Sequence, residues 1–341
     1  MAAPQPDTRD GGVLPCYDLF NGDADGLCAL HQLRMHQPRE SGLVTGVKRD
    51  IELLCRLPRG LALNVTVLDV CFDRNVDEVR DVLANGGRVA YFDHHAASTL
   101  FEHPRLQACI DRSADVCTAL LVDHHVSGRY RDWAIVGAFG DNLLAVARGL
   151  ARQRGHGEQQ VAQLEHLGML LNYNAYGESL EDLHMHPLAL YRALQGFENP
   201  LDFIARSDAY ALLHEGHAED QHRLASIQPT AQDACGEVFV LGSEPWMRRL
   251  SGSLANQRVA SGHGRSVAVL TQRSDGGYLV SVRTAEGCAS GADELCRRYP
   301  GGNGRRAAAG IDRLSEAALD GFMADFFRHA AQQRAADSCK A

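Results

Sequence analysis

The chain has 341 residues, a length that allows two domains with a core of their own. Its 45% hydrophobic and 23% charged residues are typical of a soluble globular protein. The formal net charge of −9 argues against a protein that coats long nucleic acid, because non-specific binding to a polyanion needs a basic surface.

The ten cysteines are scattered without a CxxC pair, and residues 1–12 lack the apolar stretch of a secretory signal. We therefore expect reduced thiols, a cytoplasmic protein and a disordered N-terminus over residues 1–12. No apolar run approaches the length of a membrane span, so no membrane partner is expected.

Short apolar segments alternate with helical patterns in the first part of the chain. The strand candidates are "PCYDLF", "LVTGVK", "NVTVLDV" and "RVAYFD", and the helix candidates are "DGLCALHQLRMHQ" and "DRNVDEVRDVLANGG". This alternation predicts an α/β fold with a parallel sheet and helices on both faces. Ligands of such sheets gather at the carboxyl ends of the strands.

The remainder predicts a helical segment to about residue 210, a polar, His-rich linker over 211–235, and a smaller α/β domain over 236–341. In that last domain "GEVFVLG", "SVAVLTQ" and "GGYLVSVR" are strand candidates and "GADELCRRY" is a helix candidate. We expect "PGGNGRRAAAGI" to be a Gly-rich loop that opens another helix and offers an anion site. The first domain is predicted to span 13–210.

Carboxylates and imidazoles follow the predicted strands. They are Asp23 and Asp25, Asp69, Asp93 with His94 and His95, and Asp141. Divalent metals of the Mg²⁺ or Mn²⁺ type take such ligands, and two of them can clamp a phosphoryl group and activate water. Gly137 and Gly140, beside Asp141, are expected to let the backbone approach the metals.

Four blocks in chain order resemble the DHH phosphoesterase superfamily, in the subgroup that carries a DHHA1 domain. The blocks are "FNGDADGLCA", "VTVLDV", "YFDHH" and "GAFGDN", and "SVR" followed by "GNGRRAAAG" resembles the DHHA1 substrate-binding signature. The similarity covers residues 15 to about 315. Each block by itself is weak evidence for the family, whereas four blocks in the same order at predicted strand ends are specific evidence for it.

The resemblance implies a role for each matching residue. Asp23, Asp25, Asp69, Asp93, His94 and Asp141 correspond to the ligands of two divalent metals, with Asp69 as the bridge. Asp93 and His95 correspond to the catalytic pair, with the His95 imidazole facing the substrate. The substrate contacts would be Arg283, Gly302, Asn303, Gly304, Arg305 and Arg306. The expected metal is Mn²⁺, with Mg²⁺ or Co²⁺ as alternatives.

Two positions depart from the family pattern, and two further features compete with it. Leu19 stands where many members have a histidine, and Arg305 replaces a histidine of the tail loop. Asp73 is a rival to Asp69, but it falls past the strand, so we expect it to cap a helix. A second Asp-His-His sequence, which begins at Asp123, follows a helical pattern and is expected to lie outside the metal shell.

The resemblance implies a phosphodiesterase that cleaves very short oligonucleotides, such as linear 5′-phosphorylated dinucleotides of the pGpG or pApA type, to mononucleotides. Alternatives within enzymes are an exopolyphosphatase or pyrophosphatase-like hydrolase and a 3′-phosphoadenosine phosphate phosphatase. The non-enzymatic alternative is a nucleotide-binding regulator. A homodimer is left open.

Overall fold

The computed structural model describes residues 14–261, 264–285 and 291–338, so the predicted disordered N-terminus lies outside the described residues. The chain divides into two compact units. The first runs to Ala175 and resumes from Met185 to Leu213, and the second comprises Tyr176–His184 and the chain from His214 onward. None of the described helices has both the length and the apolar character that crossing a lipid bilayer requires.

The first unit contains the predicted parallel sheet. Its described strands are β1 (Cys16–Phe20), β2 (Gly42–Val44), β3 (Asn64–Leu68), β4 (Arg88–Asp93) and β5 (Leu106–Ile110), arranged in the order β2-β1-β3-β4-β5. Sequence analysis missed β5, whose sequence "LQACI" contains one β-branched residue, Ile110, and no aromatic residue. Phe20 pairs with Leu68, and Leu68 with Phe92, so β1, β3 and β4 end side by side at one edge.

Helices complete the first unit. They are α1 (Ala24–His36), α2 (Val76–Ala84), α3 (Thr118–His125), α4 (Arg131–Gly140), α5 (Leu144–Gln153), α6 (Glu158–Ala175), α7 (Pro187–Leu194), α8 (Pro200–Arg206) and α9 (Asp208–Leu224), the last of which contains the unit boundary. A buried cluster of leucine, valine and aromatic side chains, among them Val67, Phe72 and Tyr91, forms the core around the sheet. Burial of such side chains supplies the main stabilisation of the sheet.

The second unit contains a mixed sheet with helices. Its elements are β6 (Ala231–Gln232), β7 (Gly236–Leu241), α10 (Pro245–Ala260), β8 (Ser266–Gln272), β9 (Tyr278–Arg283), α11 (Ala292–Cys296), β10 (Gly302–Arg305), β11 (Ala308–Leu314) and α12 (Leu319–Ser338). The strand order is β10-β11-β9-β8-β7-β6. The predicted linker over 211–235 contains the second part of α9, with Leu213 and Leu224 buried, and strand β6.

The Gly-rich segment corrects one prediction. It forms the hairpin β10–β11 and opens no helix, so it offers no anion site at a helix N-terminus. Alanine-rich sequence favours helix locally, but here the small residues admit close backbone contacts. A Cβ at Gly302 would lie 1.8 Å from the carbonyl oxygen of Cys296, and one at Gly310 would lie 2.7 Å from that of Val280. Sheet packing therefore overrides the local preference.

A buried ion-pair network ties the segment 176–184 to the second unit. Arg248 Nη1 donates to Asp182 Oδ1 at 2.9 Å, and Arg249 Nη2 lies 2.7 Å from Asp220 Oδ2. The exposed fractions of Asp182 and Asp220 are 4% and 1%, so these charges are held out of water and need their partners. This is why a segment between two first-unit helices belongs to the second unit.

Candidate metal centre

The turn after β1 is built by a helix N-cap. Asp23 caps α1, and its Oδ1 accepts hydrogen bonds from the backbone N–H groups of Asp25 and Gly26, each at 3.1 Å. A carboxylate at this position satisfies N–H groups that have no partner within the helix. The cap places Asp25 in the first turn of α1, at the carboxyl edge of the sheet.

Asp25 connects α1 to the N-terminus of α3. Its Oδ2 accepts a hydrogen bond from Thr118 N at 2.7 Å and its Oδ1 from Ala119 N at 2.7 Å. The side chain is almost fully buried. Two backbone donors therefore fix the orientation of this carboxylate while each oxygen retains a second lone pair that can reach a metal.

Asp69 follows β3 with a left-handed backbone, at a φ of 59°. That conformation is unusual for a residue other than glycine and is characteristic of functional sites, where surrounding contacts hold it. Here Asp69 N donates to Phe92 O at 3.0 Å, and Thr118 Oγ1 donates to Asp69 Oδ1 at 3.3 Å. Burial, followed by the charges of Asp23, Asp25 and Asp141, raises the pKa of Asp69 well above its usual value.

The His94 imidazole lies among three of these carboxylates. Its Nε2 is 3.4 Å from Asp69 Oδ1, 3.8 Å from Asp141 Oδ2 and 3.9 Å from Asp25 Oδ2. Metal–ligand bonds of about 2.1 Å place neighbouring ligand atoms about 3 Å apart. The ligand atoms of Asp25, His94 and Asp141 all lie within 4.8 Å of one another, so these three groups could close around one ion. Burial and the Asp25 charge raise the pKa of Asp141 to about 6, a sign of excess negative charge that a cation would relieve.

Asp93 and His95 form a hydrogen-bonded pair beside this group. His95 Nδ1 lies 2.6 Å from Asp93 Oδ1, and the fully buried Oδ2 of Asp93 has no hydrogen-bond partner. Burial alone would lower the pKa of His95, but the hydrogen bond and charge of Asp93 outweigh it and the pKa is raised. A buried carboxylate oxygen without a partner is costly, and coordination of a cation would satisfy it.

These observations fit a divalent cation. Within the described part of the chain, two groups of side chains could each hold a metal: Asp69 with His94 and His95, and Asp25 with His94 and Asp141. Asp23 is in neither group. Its Oδ2 instead forms an ion pair with Lys48 Nζ, a residue that sequence analysis did not identify as part of the centre.

Lys48 could have been found from its position. It follows β2, which lies next to β1, so it reaches the same edge of the sheet as the predicted ligands. Composition gives a second signal. Lys48 and Lys340 are the two lysines among 34 lysine and arginine residues, so a lysine near the predicted ligands is unusual for this chain. Leu19, in contrast, is fully buried in the core cluster and does not reach the centre.

The glycines of "GAFGDN" have a different role from the predicted one. A Cβ at Gly140 would lie 2.2 Å from the Cβ of Ala24, and one at Gly137 would lie 2.6 Å from the Cβ of Ala119. These glycines therefore let α4 approach α1 and α3, the helices that hold Asp25, and the approach brings Asp141 to the centre. Helix contact, rather than metal contact, requires them.

Asp73 does not cap a helix as expected. It accepts hydrogen bonds from the backbone N–H and hydroxyl groups of Ser98 and Thr99, at 2.6–2.9 Å. These bonds hold the segment that follows His95. The second Asp-His-His sequence lies at the end of α3, where Asp123 pairs with Arg131 at 2.9 Å and His124 is exposed, and none of its residues is in a metal-holding group.

The predicted substrate residues lie in the second unit. Arg283 ends β9, and its Nε donates to Asn256 Oδ1 at 2.7 Å. Ala308 pairs with both Arg283 and Arg305, so the two arginines project from the same face with a small residue between them. Burial lowers the pKa of Arg283. Gly302, Asn303 and Gly304 lie in β10, and Arg306 lies in the hairpin turn.

Several solved structures share this fold. A manganese-bound exonuclease RecJ matches with a TM-score of 0.57 and 20% identity over 93% of this chain and 90% of that chain. A DHH domain described as a member of the s1p family of ribosomal proteins matches with a TM-score of 0.60 and 12% identity, over 92% and 86%. A pGpG-specific phosphodiesterase, PggH from Vibrio cholerae, matches with a TM-score of 0.56 and 12% identity, over 94% and 99%.

These similarities confirm the predicted fold class: the chain has the DHH fold, with a parallel-sheet unit and a second, smaller α/β unit. No protein-family model matches the chain, and no curated protein matches its sequence.

Proposed function

We propose that the chain is a metal-dependent phosphodiesterase that cleaves very short oligonucleotides, in particular linear 5′-phosphorylated dinucleotides, to mononucleotides. The observation that carries the proposal is the convergence of His94 Nε2 with the carboxylates of Asp25, Asp69 and Asp141. Buried carboxylates with raised pKa values at the carboxyl edge of a parallel sheet are typical of a catalytic centre.

In this proposal Asp25, Asp69, His94 and Asp141 hold a divalent cation, which we expect to be Mn²⁺, with Mg²⁺ or Co²⁺ as alternatives. The bound cation would supply Lewis-acid charge at phosphorus and a water of lowered pKa. Asp93 Oδ1 accepts from His95 Nδ1 and orients the ring, so that the imidazolium form has its Nε2–H left to donate to a phosphate oxygen or to the leaving oxygen. Mutation of His95 would therefore affect turnover more than metal affinity.

The second unit would bind the phosphate end of the substrate through Arg283. Its hydrogen bond to Asn256 fixes the plane of the guanidinium, and a fixed fork of donors matches a phosphate. Arg305, on the same face, would contact the base or a further phosphate oxygen. Gly302, Asn303, Gly304 and Arg306 shape the hairpin that carries Arg305.

Two further observations support the substrate class. The pGpG-specific phosphodiesterase from Vibrio cholerae covers both units and matches almost along its whole length. The net charge of −9 disfavours long nucleic acid, because each added phosphate of a long strand meets a predominantly acidic protein.

A substrate panel tests the proposal. The protein is incubated with Mn²⁺ and, separately, pGpG, pApA, 3′-phosphoadenosine phosphate, polyphosphate and a twenty-nucleotide RNA, and the products are separated by ion-exchange chromatography. We expect mononucleotides from the dinucleotides and a steep fall in rate for the long RNA. Preferential release of phosphate from polyphosphate or 3′-phosphoadenosine phosphate would replace the proposed activity by that one. Binding of nucleotides without turnover of any substrate would indicate a regulator.

A further inference from the structure

Lys48 is built into the metal centre from several sides. Its Nζ contacts Asp23 Oδ2 and donates to Asn172 Oδ1 at 3.0 Å. Its backbone is also fixed, because its N–H donates to Ala175 O at 3.0 Å and its carbonyl accepts from Asn21 Nδ2 at 3.1 Å. A lysine held at both the backbone and the side chain is a structural part of the centre rather than a mobile surface cation.

The Asp23 carboxylate is occupied by this lysine. Oδ1 accepts the two backbone hydrogen bonds of the helix cap, and Oδ2 faces the ammonium group. On this side of the centre a protein cation already neutralises the carboxylate.

The other side of the centre consists of carboxylates around an imidazole. Asp25, Asp69 and Asp141 surround His94 Nε2, with carboxylate oxygens at 3.9, 3.4 and 3.8 Å. Asp23 is therefore paired directly with an ammonium group, whereas these three carboxylates lie around one imidazole.

Among the described residues, no histidine side chain forms an ion pair with Asp23, whose partner is Lys48. The side chain four residues before Asp23 is Leu19, which is fully buried in the core cluster. Asp23 is also absent from both groups of side chains that could hold a metal. A second ion at Asp23 would have to displace the ammonium group, and the two groups that could hold a metal share His94, so they do not offer two independent sets of three ligands.

We propose that Lys48 replaces one of the two metal ions, so that the centre binds a single divalent cation per chain and the Lys48 ammonium group supplies the second positive charge. This inference rests on the metal centre of the proposed function, although it concerns stoichiometry rather than substrate. The ammonium group is a compact charge with three donors, so it can both hold Asp23 and donate to a phosphate oxygen.

The presence of a lysine rather than an arginine at position 48 is informative, because lysine is rare in this chain. The chain has 34 lysine and arginine residues, of which Lys48 and Lys340 are the lysines. A planar guanidinium would spread its charge over a larger area, whereas an ammonium group is close to a point charge, as a metal ion is. The centre therefore has the basic side chain that most resembles the ion it replaces.

The test is the stoichiometry of Mn²⁺ binding to the full chain. Isothermal titration calorimetry gives the number of ions, and electron paramagnetic resonance separates an isolated Mn²⁺ from a spin-coupled pair. Lys48→Met removes the charge at similar length, Lys48→Arg retains it, and the Leu19→His/Lys48→Met double variant adds an imidazole. Circular dichroism compares the folding of the variants.

We expect one isolated Mn²⁺ in the wild type and in Lys48→Arg. Lys48→Met should bind a second, weaker ion, and the double variant should bind that ion at least tenfold more tightly than Lys48→Met. Two spin-coupled ions in the wild type would overturn the inference, whatever the substrate panel shows. A folded Lys48→Met variant that still binds one ion would show that Lys48 does not exclude the second. Absence of any Mn²⁺ binding would overturn the proposed function as well.

Discussion

Replacement of Gly140 by alanine should separate two of the proposed metal ligands, Asp25 and Asp141, without changing either of them. A Cβ at residue 140 would lie 2.2 Å from the Cβ of Ala24 and 2.9 Å from the carbonyl oxygen of Gly168. Gly140 precedes Asp141, and Ala24 precedes Asp25, so the new methyl group would push apart the segments that carry these two carboxylates.

The size of the effect follows from these contacts. Carbon atoms rest at about 3.5–4.0 Å, so the two helices must separate by more than about 1 Å. Metal–ligand distances tolerate about 0.2 Å, and we therefore expect a loss of Mn²⁺ affinity of about 10–100-fold. Overpacking costs about 1–3 kcal/mol, and the better helix propensity of alanine offsets about 0.5–1 kcal/mol of it.

Gly149 provides the matched control. It lies in α5, and no atom lies within 4 Å of a Cβ built there, so alanine meets no obstacle. Gly149→Ala should raise the free energy of unfolding by about 0.5–1 kcal/mol and leave Mn²⁺ affinity unchanged. Both variants are measured by calorimetric Mn²⁺ titration and by urea unfolding of the metal-free protein.

Two results would refute this reasoning. Gly140→Ala with wild-type Mn²⁺ affinity would mean that the helix contact does not position the ligands. Equal losses of affinity in Gly140→Ala and Gly149→Ala would mean that any added helix propensity in this region perturbs the centre.

Three further predictions concern the centre, the arginine and the core. His94→Ala should abolish turnover and weaken Mn²⁺ binding, whereas His124→Ala, in the second Asp-His-His sequence, should retain most of both; reversed severity would contradict the placement of the site. Asn256→Ala should raise KM for pGpG more than it lowers kcat, because it frees Arg283, and an unchanged KM would exclude that role. Burial lowers the pKa of His31 from 6.5 to about 4, so stability is complete above pH 6.5 and decreases by about 3 kcal/mol as the pH falls to 4. Urea unfolding at several pH values should show this loss in the wild type and not in His31→Gln; equal losses would assign it to other groups.

Local pattern was sufficient for four of the five described strands of the first sheet and for most of the side chains proposed as metal ligands. Strands that end in Asp69 and Asp93 have strong apolar signals, and parallel strands bring their carboxyl ends to one edge. The proximity of His94 to Asp69 therefore followed from sequence. Asp141 was found by its resemblance to a family block, since the end of a helix carries no comparable local signal.

Tertiary contacts decided what local pattern could not. The segment around Gly302 has the composition of a loop before a helix, but pairing with neighbouring strands makes it a hairpin. Gly140 is required by the methyl group of Ala24, a residue more than a hundred positions away. Such requirements are invisible in sequence because they depend on which backbone lies opposite, not on the residues alongside.

Sequence alone determined which side chains could bind a metal, because carboxylates and imidazoles at strand ends have that chemistry in any α/β fold. Only the tertiary structure decided which charged group each of those side chains faces. Asp23 and Asp25 look equivalent in "NGDADG", yet Asp23 pairs with Lys48 while Asp25 faces His94. The physical reason is that the helix cap turns the two carboxylates in different directions, and the charge each one meets depends on a neighbouring strand.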